Sequence, residues 1–439
     1  MAFASSIFAI RRRLVLLALT GVVGAMSFAT PEATADDDVA RSLNAMIPSV
    51  KDENKAWKGL FDAYLDMTPC PETIGADFGQ VDVWTGMSGW AAMSDWASTN
   101  SETVKALQEA AKKVIIGLPY GEENVDARFR EADLVARVRI ESGGDVDIAF
   151  PYLKAFETFS TWSAAEMYRR FEAGDWNAGF SAAIANARVL RHLCDRHMLV
   201  EKSTAMLMLA EAMSIMRDAM WSYVEKIPAE EYRRFSIKEL PFLRFSDAER
   251  LKRLEMPEGD RIVVEAILEE VFDGSSSPDP QRLGEVFGAM QADNRELSLF
   301  GATKRWERIA DVHSSLEASR EKLTNVYDDW WRRWRIQAYD PILSAQPPES
   351  ERLNSTRYAA VLKIVPEIRP LFDARNRLLA EVNGTCAALA VCAQYKKDGR
   401  WPADIRSARA NTRRLSVVDP FSIESKVIKY WKPNRLRIN

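Results

Sequence analysis

From Val39 onward the apolar residues recur at helical spacing, and long strand-like alternation is scarce. Val39 to Met67 predicts an opening helix carrying Trp57, Leu60, Phe61, Tyr64 and Leu65. A turn-rich segment, Pro69 to Asn100, follows, and further helices are expected over Glu102–Ile116 and Phe150–Phe171. The second of these has Leu153, Phe156, Phe159, Met167 and Phe171 as an apolar stripe. Gly174-Asp175 then breaks the pattern, with Asp175 placed to cap a new helix whose buried face is Phe180, Ala183, Ile184, Ala187, Leu190 and Leu193. A third helix, Val200 to Glu225, is lined by Met206, Met208, Met213, Met216 and Met220. Three apolar faces joined by short connections cannot be buried singly, so residues 150–225 are expected to pack as consecutive antiparallel neighbours. That is the geometry of a tetratricopeptide-like hairpin array, although no clean repeat of about 34 residues recurs elsewhere.

The run Gly274-Ser275-Ser276-Ser277-Pro278-Asp279-Pro280 reads as an internal linker. Beyond it, helices are expected around Arg282–Asp293, Thr303–Trp334 and Tyr358–Tyr395, with interruptions at Pro347-Pro348, Pro366 and Pro370. Val382 to Tyr395 carries no charge over 14 residues, too short to span a bilayer and suited to a helix buried on most faces. Lys396 and Lys397 suit the end of that helix, Gly399 suits a left-handed cap, and Pro402 forbids continuation. Val427 to Trp431 is expected to form a short strand. The chain therefore reads as all-α: a helical domain over 36–273, a linker at 274–280, and a C-terminal helical domain with a short extended tail over 281–439. Gly and Pro together supply only 39 of 439 residues, which argues against a turn-rich β-sandwich.

The first 35 residues follow a different logic. Arg11, Arg12 and Arg13 form a positive block, and Leu14 to Thr30 has no charge. Ala33-Thr34-Ala35 then precedes Asp36-Asp37-Asp38. That order is a secretory signal peptide with cleavage near Ala35, leaving a mature N-terminus at Asp36 in the periplasm or outside the cell. The alternative is an uncleaved anchor, since the uncharged run is close to the shortest length that spans a bilayer. The adjacent arginines also allow a twin-arginine route. Nothing later in the chain is long and apolar enough to cross a membrane. Without residues 1–35 the chain has 56 basic and 62 acidic side chains, a balance that disfavours nucleic acid as a partner.

Export makes the cysteines worth weighing. Cys70, Cys194, Cys386 and Cys392 allow three complete pairings, or four free thiols. Six residues along a helix place Cys386 and Cys392 about 9 Å apart axially and about 240° apart in azimuth, beyond disulfide reach. His192, His197 and His313 are the only histidines, and His192 and His197 differ by about 140° on a helix, so they do not converge on one metal ion. Adjacent acids such as Glu230-Glu231 and Glu269-Glu270 point to different parts of a helix surface. No nucleophile elbow, zinc-protease helix, Walker loop or dinucleotide fingerprint is present. No catalytic residue, metal ligand or cofactor is assigned. The candidate ligand-binding residues are aromatic: Trp84, Trp90 and Trp96 at intervals of six, and Trp330, Trp331 and Trp334 within a patch that also carries Asp328, Asp329, Arg332, Arg333 and Arg335. The alternative for both groups is ordinary packing, with arginines pairing to the aspartates or stacking on indole faces.

Ala387-Ala388-Leu389-Ala390 through Tyr395, then Gly399-Arg400-Trp401-Pro402 and Asp419-Pro420-Phe421, resembles the segment after the long helix of type II secretion pseudopilins. The same ending, with a mid-chain hairpin similar to Glu172–Asp175 and Arg191-His192-Leu193, resembles a group of uncharacterised, exported, all-helical bacterial proteins. A pseudopilin's N-terminal methylation helix is absent and this chain is several times longer, so the resemblance implies kinship and supplies no catalytic residue. The expected function is an exported binding or scaffolding protein whose partner is a protein or an envelope polymer. The alternatives are a hydrolase of envelope polymers with its site near the tryptophan-rich segments, and an accessory component of a secretion apparatus.

Overall fold

The computed structural model describes residues 35–71, 84–140, 146–236, 254–291, 296–336 and 340–411. The export segment, the Asp419-Pro420-Phe421 motif and the tail strand at Val427–Trp431 lie outside the described residues.

The chain is mostly helical, as its periodicity implies, but the opening stripe is two helices, not one. Helix α1 spans Ala35–Met46 and α2 spans Trp57–Asp66. Pro48 lacks a donor and biases Ile47 away from helical torsions, which ends α1. The link between them then finds backbone partners elsewhere: Val114 donates to the Asn54 carbonyl at 3.0 Å, and Ala56 and Trp57 donate to the Ile116 carbonyl at 3.1 and 3.0 Å. The turn-rich segment contains a helix, α3 (Trp90–Thr99), entered through Gly89 at φ 90°. Helices α4 (Thr103–Lys112) and α5 (Ala127–Glu131) lead to an antiparallel ribbon, β1 (Arg137–Ile140) with β2 (Val146–Ala149), in which Arg137 faces Ala149 and Ile140 faces Val146. Val138 and Ile140 turn inward. Four-residue strands are too short for alternation to stand out in the sequence.

At the centre lie α6 (Leu153–Glu172), α7 (Trp176–Leu193) and α8 (Leu199–Ser222), with breaks at the expected places. Gly174 adopts φ 76°, and Asp175 accepts the Ala178 N–H at 3.2 Å as a helix cap. Phe156, Phe171, Phe180, Ile184, Met206 and Met213 are all buried. A Cβ at Gly179 would stand 2.7 Å from the Phe171 ring, so the absence of a side chain there sets how closely α7 approaches α6. Helix α8 packs on α7 and also on α6, while α3 covers α6 and α4 covers α7.

The rest of the chain comprises α9 (Ala229–Arg234), α10 (Gly259–Phe272), α11 (Pro280–Gln291), α12 (Glu296–Ala310) and α13 (Leu316–Arg335). Short helices α14 (Pro341–Ala345), α15 (Glu349–Arg352) and α16 (Ala359–Ile364) precede the long α17 (Arg369–Asp398). The expected Thr303–Trp334 helix is thus two, because Ser315 accepts the Ala318 N–H at 3.2 Å and starts α13 afresh. The Tyr358–Tyr395 helix is likewise split around Pro366. The uncharged part of α17 packs along α8, and α17 ends as its residues imply, with Gly399 at φ 65° donating to the Tyr395 carbonyl at 2.8 Å. Residues 274–280 form a tight turn in which Asp279 donates back to the Val271 carbonyl at 3.1 Å. A continuous apolar core runs from Val39 to Ala393 across this turn, including Phe272 and Leu283 on its two sides. All four cysteines are free thiols, and among the described residues no helix is long and apolar enough to cross a membrane.

Candidate ligand-binding face

The six candidate tryptophans do not gather in one place. On α13, Trp330 and Trp334 sit one turn apart on the inner face and are 2% and 6% exposed. The Trp334 indole donates to the Leu254 carbonyl at 3.1 Å, and the Arg375 guanidinium lies 4.2 Å from its ring centroid. Trp331, rotated to the flank, donates to Glu258. Asp329 is buried between Arg332 and Arg333, at 2.5 and 2.6 Å. Together the two arginines and the Glu349 N–H hold its carboxyl below the usual range, outweighing the upward push of burial, the largest single influence. This patch is core and flank, not an open platform. Trp96 is also buried and donates to the Thr68 carbonyl at 2.9 Å. Trp84 is exposed, and Trp90 is half-buried.

Those two border an aromatic cluster around the C-terminal end of α8, in which Phe171, Tyr168 and Tyr223 are themselves buried. Tyr223, just beyond that helix, is its hub: its hydroxyl lies 2.9 Å from the Thr85 hydroxyl, next to Trp84. Phe171, Trp176 and Tyr168 place their rings 5.7, 6.1 and 6.5 Å from the Tyr223 ring. Trp90 meets Tyr168 edge-on at 6.3 Å and donates to Glu172 Oε2 at 3.0 Å. On the other flank Trp221, 56% exposed, stacks on Trp401 at 5.8 Å, and Trp401 lies flat on Tyr395 at 4.0 Å with 9° between the planes. The Tyr395 hydroxyl donates to Glu225 Oε1 at 2.6 Å, and the Lys396 ammonium donates to the Glu225 carbonyl at 2.8 Å. The Gly399-Arg400-Trp401-Pro402 segment therefore folds back on its own helix and contributes a ring to this surface. Sequence reasoning found Trp84 and Trp90 but missed Trp176, Trp221, Trp401 and Tyr395, whose only shared feature is being brought to one end of α8.

The opposite end of α8, about 36 Å away for 24 residues, is buried and ionic. Glu201 has no exposed surface and accepts from Tyr120 Oη at 2.6 Å, Tyr152 Oη at 2.5 Å and Arg196 Nε at 2.8 Å. Arg196 also donates to the Leu118 carbonyl at 2.5 Å and lies 4.0 Å over the Tyr120 ring. Burial, chiefly, pushes both tyrosines well above their usual range, and the Glu201 carboxylate adds to it. Lys202, buried, donates to the Cys194 carbonyl at 2.5 Å and is held below the usual lysine range by burial. Asp260 of α10 accepts the Leu199 N–H at 2.6 Å, capping α8 from another helix, and burial pushes its carboxyl up to about 7. His197 is pulled down to about 4, first by burial and then by the Arg196 charge. Among the described residues no group of three or more His, Cys, Asp or Glu side chains is placed to hold a metal ion. The cluster is a dehydrated clamp that ties 118–120, α6 and α10 to the start of α8.

Compared with protein-family models, curated proteins and solved structures, the chain matches none of them.

Proposed function

We propose that the protein is an exported helical binding protein whose aromatic face takes a saccharide chain of the cell envelope. The observation that carries this reading is the Trp221–Trp401–Tyr395 stack, with Trp221 left 56% exposed. An indole that far from the core loses much of its possible burial energy, and an aromatic face of this kind suits the apolar C–H face of a sugar ring. Glu172 and Glu225, already fixed by indole and phenol donors, border the rings and can accept further hydrogen bonds from sugar hydroxyls. The scaffold reading belongs to the same proposal: the 153–222 hairpins, in a tetratricopeptide-like stack, hold the face rigid from behind. Export rests on the Arg11–Arg13 block, the uncharged run and Ala33-Thr34-Ala35, and intact-mass measurement of the exported protein is expected to give Asp36 as the first residue.

Calorimetric titration with soluble peptidoglycan fragments and chitooligosaccharides tests the binding reading. Trp221→Ala and Trp401→Ala are each expected to weaken binding roughly ten-fold or more, while Trp221→Phe retains part of the affinity. Absence of binding by the parent protein, or a Trp221→Ala variant that binds equally well, would sink it. Release of new reducing ends during the titration would replace the binder with the envelope-polymer hydrolase.

A further inference from the structure

A second feature is independent of the aromatic face. A cleft of about 560 Å³ opens between the link that joins α1 to α2 and the segment leading from α4 toward α5. Its apolar lining includes Ile47, Pro48 and Val50. Lys55 and Lys58 also line it, with Asp52 as the acid. Lys55 lies 2.8 Å from Asp52. No ion pair of Lys58 is formed among the described residues, and Asp62, one helical turn further on, pairs with Arg128 at 2.6 Å. The Lys58 ammonium lies 5.3 Å from the Trp57 ring centroid, so the cleft carries a net positive charge on an ammonium that an indole holds and no carboxylate of the described residues neutralises.

Its rear wall is unusually well fixed. The Asn44 side chain grips Tyr120 twice, accepting its N–H and donating to its carbonyl, both at 2.8 Å. Arg196, locked by Glu201, holds the Leu118 carbonyl from behind. Between them Gly117 adopts φ +71°, and a Cβ there would stand 2.6 Å from Cγ of Lys55. The glycine therefore gives the Lys55 stem the room to lie across the wall. A fixed wall with apolar and cationic lining residues, at a volume ordinary for small-ligand sites, describes a pre-formed pocket.

We propose that this cleft binds a small organic anion, with one carboxylate or phosphate group against Lys58 and Lys55 and an apolar body over Ile47, Pro48 and Val50. Isothermal titration of the purified protein with benzoate, phenyl phosphate and neutral benzyl alcohol tests it. At least one anion is expected to bind at least ten-fold more tightly than the alcohol, and the tighter of the two identifies the anionic group. Lys58→Gln is expected to weaken that anion roughly ten-fold, Lys58→Arg to retain most of the affinity, and the surface control Lys51→Gln to change nothing. Lys58 is exposed, so its replacement leaves the core intact. The proposal fails if neither anion binds more tightly than about 1 mM. It also fails if the alcohol binds as well as the anions, or if Lys51→Gln weakens binding as much as Lys58→Gln.

Discussion

Replacing Glu201 with Gln probes the buried clamp with almost no change in shape. Three donors converge on this one carboxylate: two phenol hydroxyls and the Arg196 guanidinium. The amide offers one acceptor oxygen where the carboxylate offers two, so an NH2 group must face at least one of those donors. The Tyr120 hydroxyl cannot adapt freely, because it also accepts the His197 N–H at 3.2 Å. The variant also leaves Arg196, 4% exposed, without its counter-charge. Removing one partner of a buried pair costs about 3–5 kcal/mol, most of it the penalty of the charge left behind. Arg196→Met should cost a similar amount for the mirror reason. The double variant should cost clearly less than the two singles added together, because neither charge is then orphaned. Urea unfolding followed in parallel by tryptophan fluorescence and circular dichroism measures all three, and coincidence of the two signals licenses a single free energy. A Glu201→Gln variant within about 1 kcal/mol of the parent would refute the reasoning. So would strict additivity, since it would mean that water reaches the cluster and the pair is not isolated.

Other expectations follow from the same packing. Ile184→Asp sets an unpaired carboxylate at a side chain only 3% exposed between α6 and α8, and should cost several kcal/mol by thermal melt; a variant melting like the parent would show that the buried face of α7 is wrong. Asp260, with its carboxyl pushed up to about 7 by burial, keeps its proton in the folded state over a range where the unfolded chain has lost it. Its contribution is therefore full below about pH 4 and is lost as pH rises toward 7. His197 has the opposite sign: pulled down to about 4, it favours folding above about pH 6.5, and that contribution is lost as pH falls toward 4. Asp260→Asn should therefore melt higher than the parent at pH 8 and lose more stability on acidification from pH 7 to 5. Melting curves across that range check the Asp260 sign, and parallel curves for variant and parent would refute it.

The helical class, the three central helices and their breaks, the Asp175 cap and the Gly399 terminus are all legible in the amino-acid order alone. Each of these depends on residues within one or two turns of each other: an apolar stripe at a spacing of 3.6, a side-chain oxygen three residues before an N–H, a glycine where φ must be positive. For the same reason in reverse, apolar spacing alone makes the opening helix and the helix over 303–334 longer than they are. Apolar spacing continues across Pro48 and Ser315, yet the breaks there are local, a proline that ends α1 and a serine that caps α13, and the partners at 114–116 then take up the freed backbone. What no local pattern carries is which aromatic residues meet. Trp330 and Trp334 formed the most conspicuous cluster in the sequence and are core, because positions four apart share the face that α13 buries. Trp221, Trp401 and Tyr395 form the exposed stack, because α17 packs along α8 and its terminating turn at Gly399 brings Trp401 back onto Tyr395. In the sequence nothing local sets Glu201 apart from the other acids of helical segments. Its burial with Tyr120, Tyr152 and Arg196 was fixed only when three separate segments closed over the start of α8, since side-chain desolvation is a property of the assembled core and has no local period.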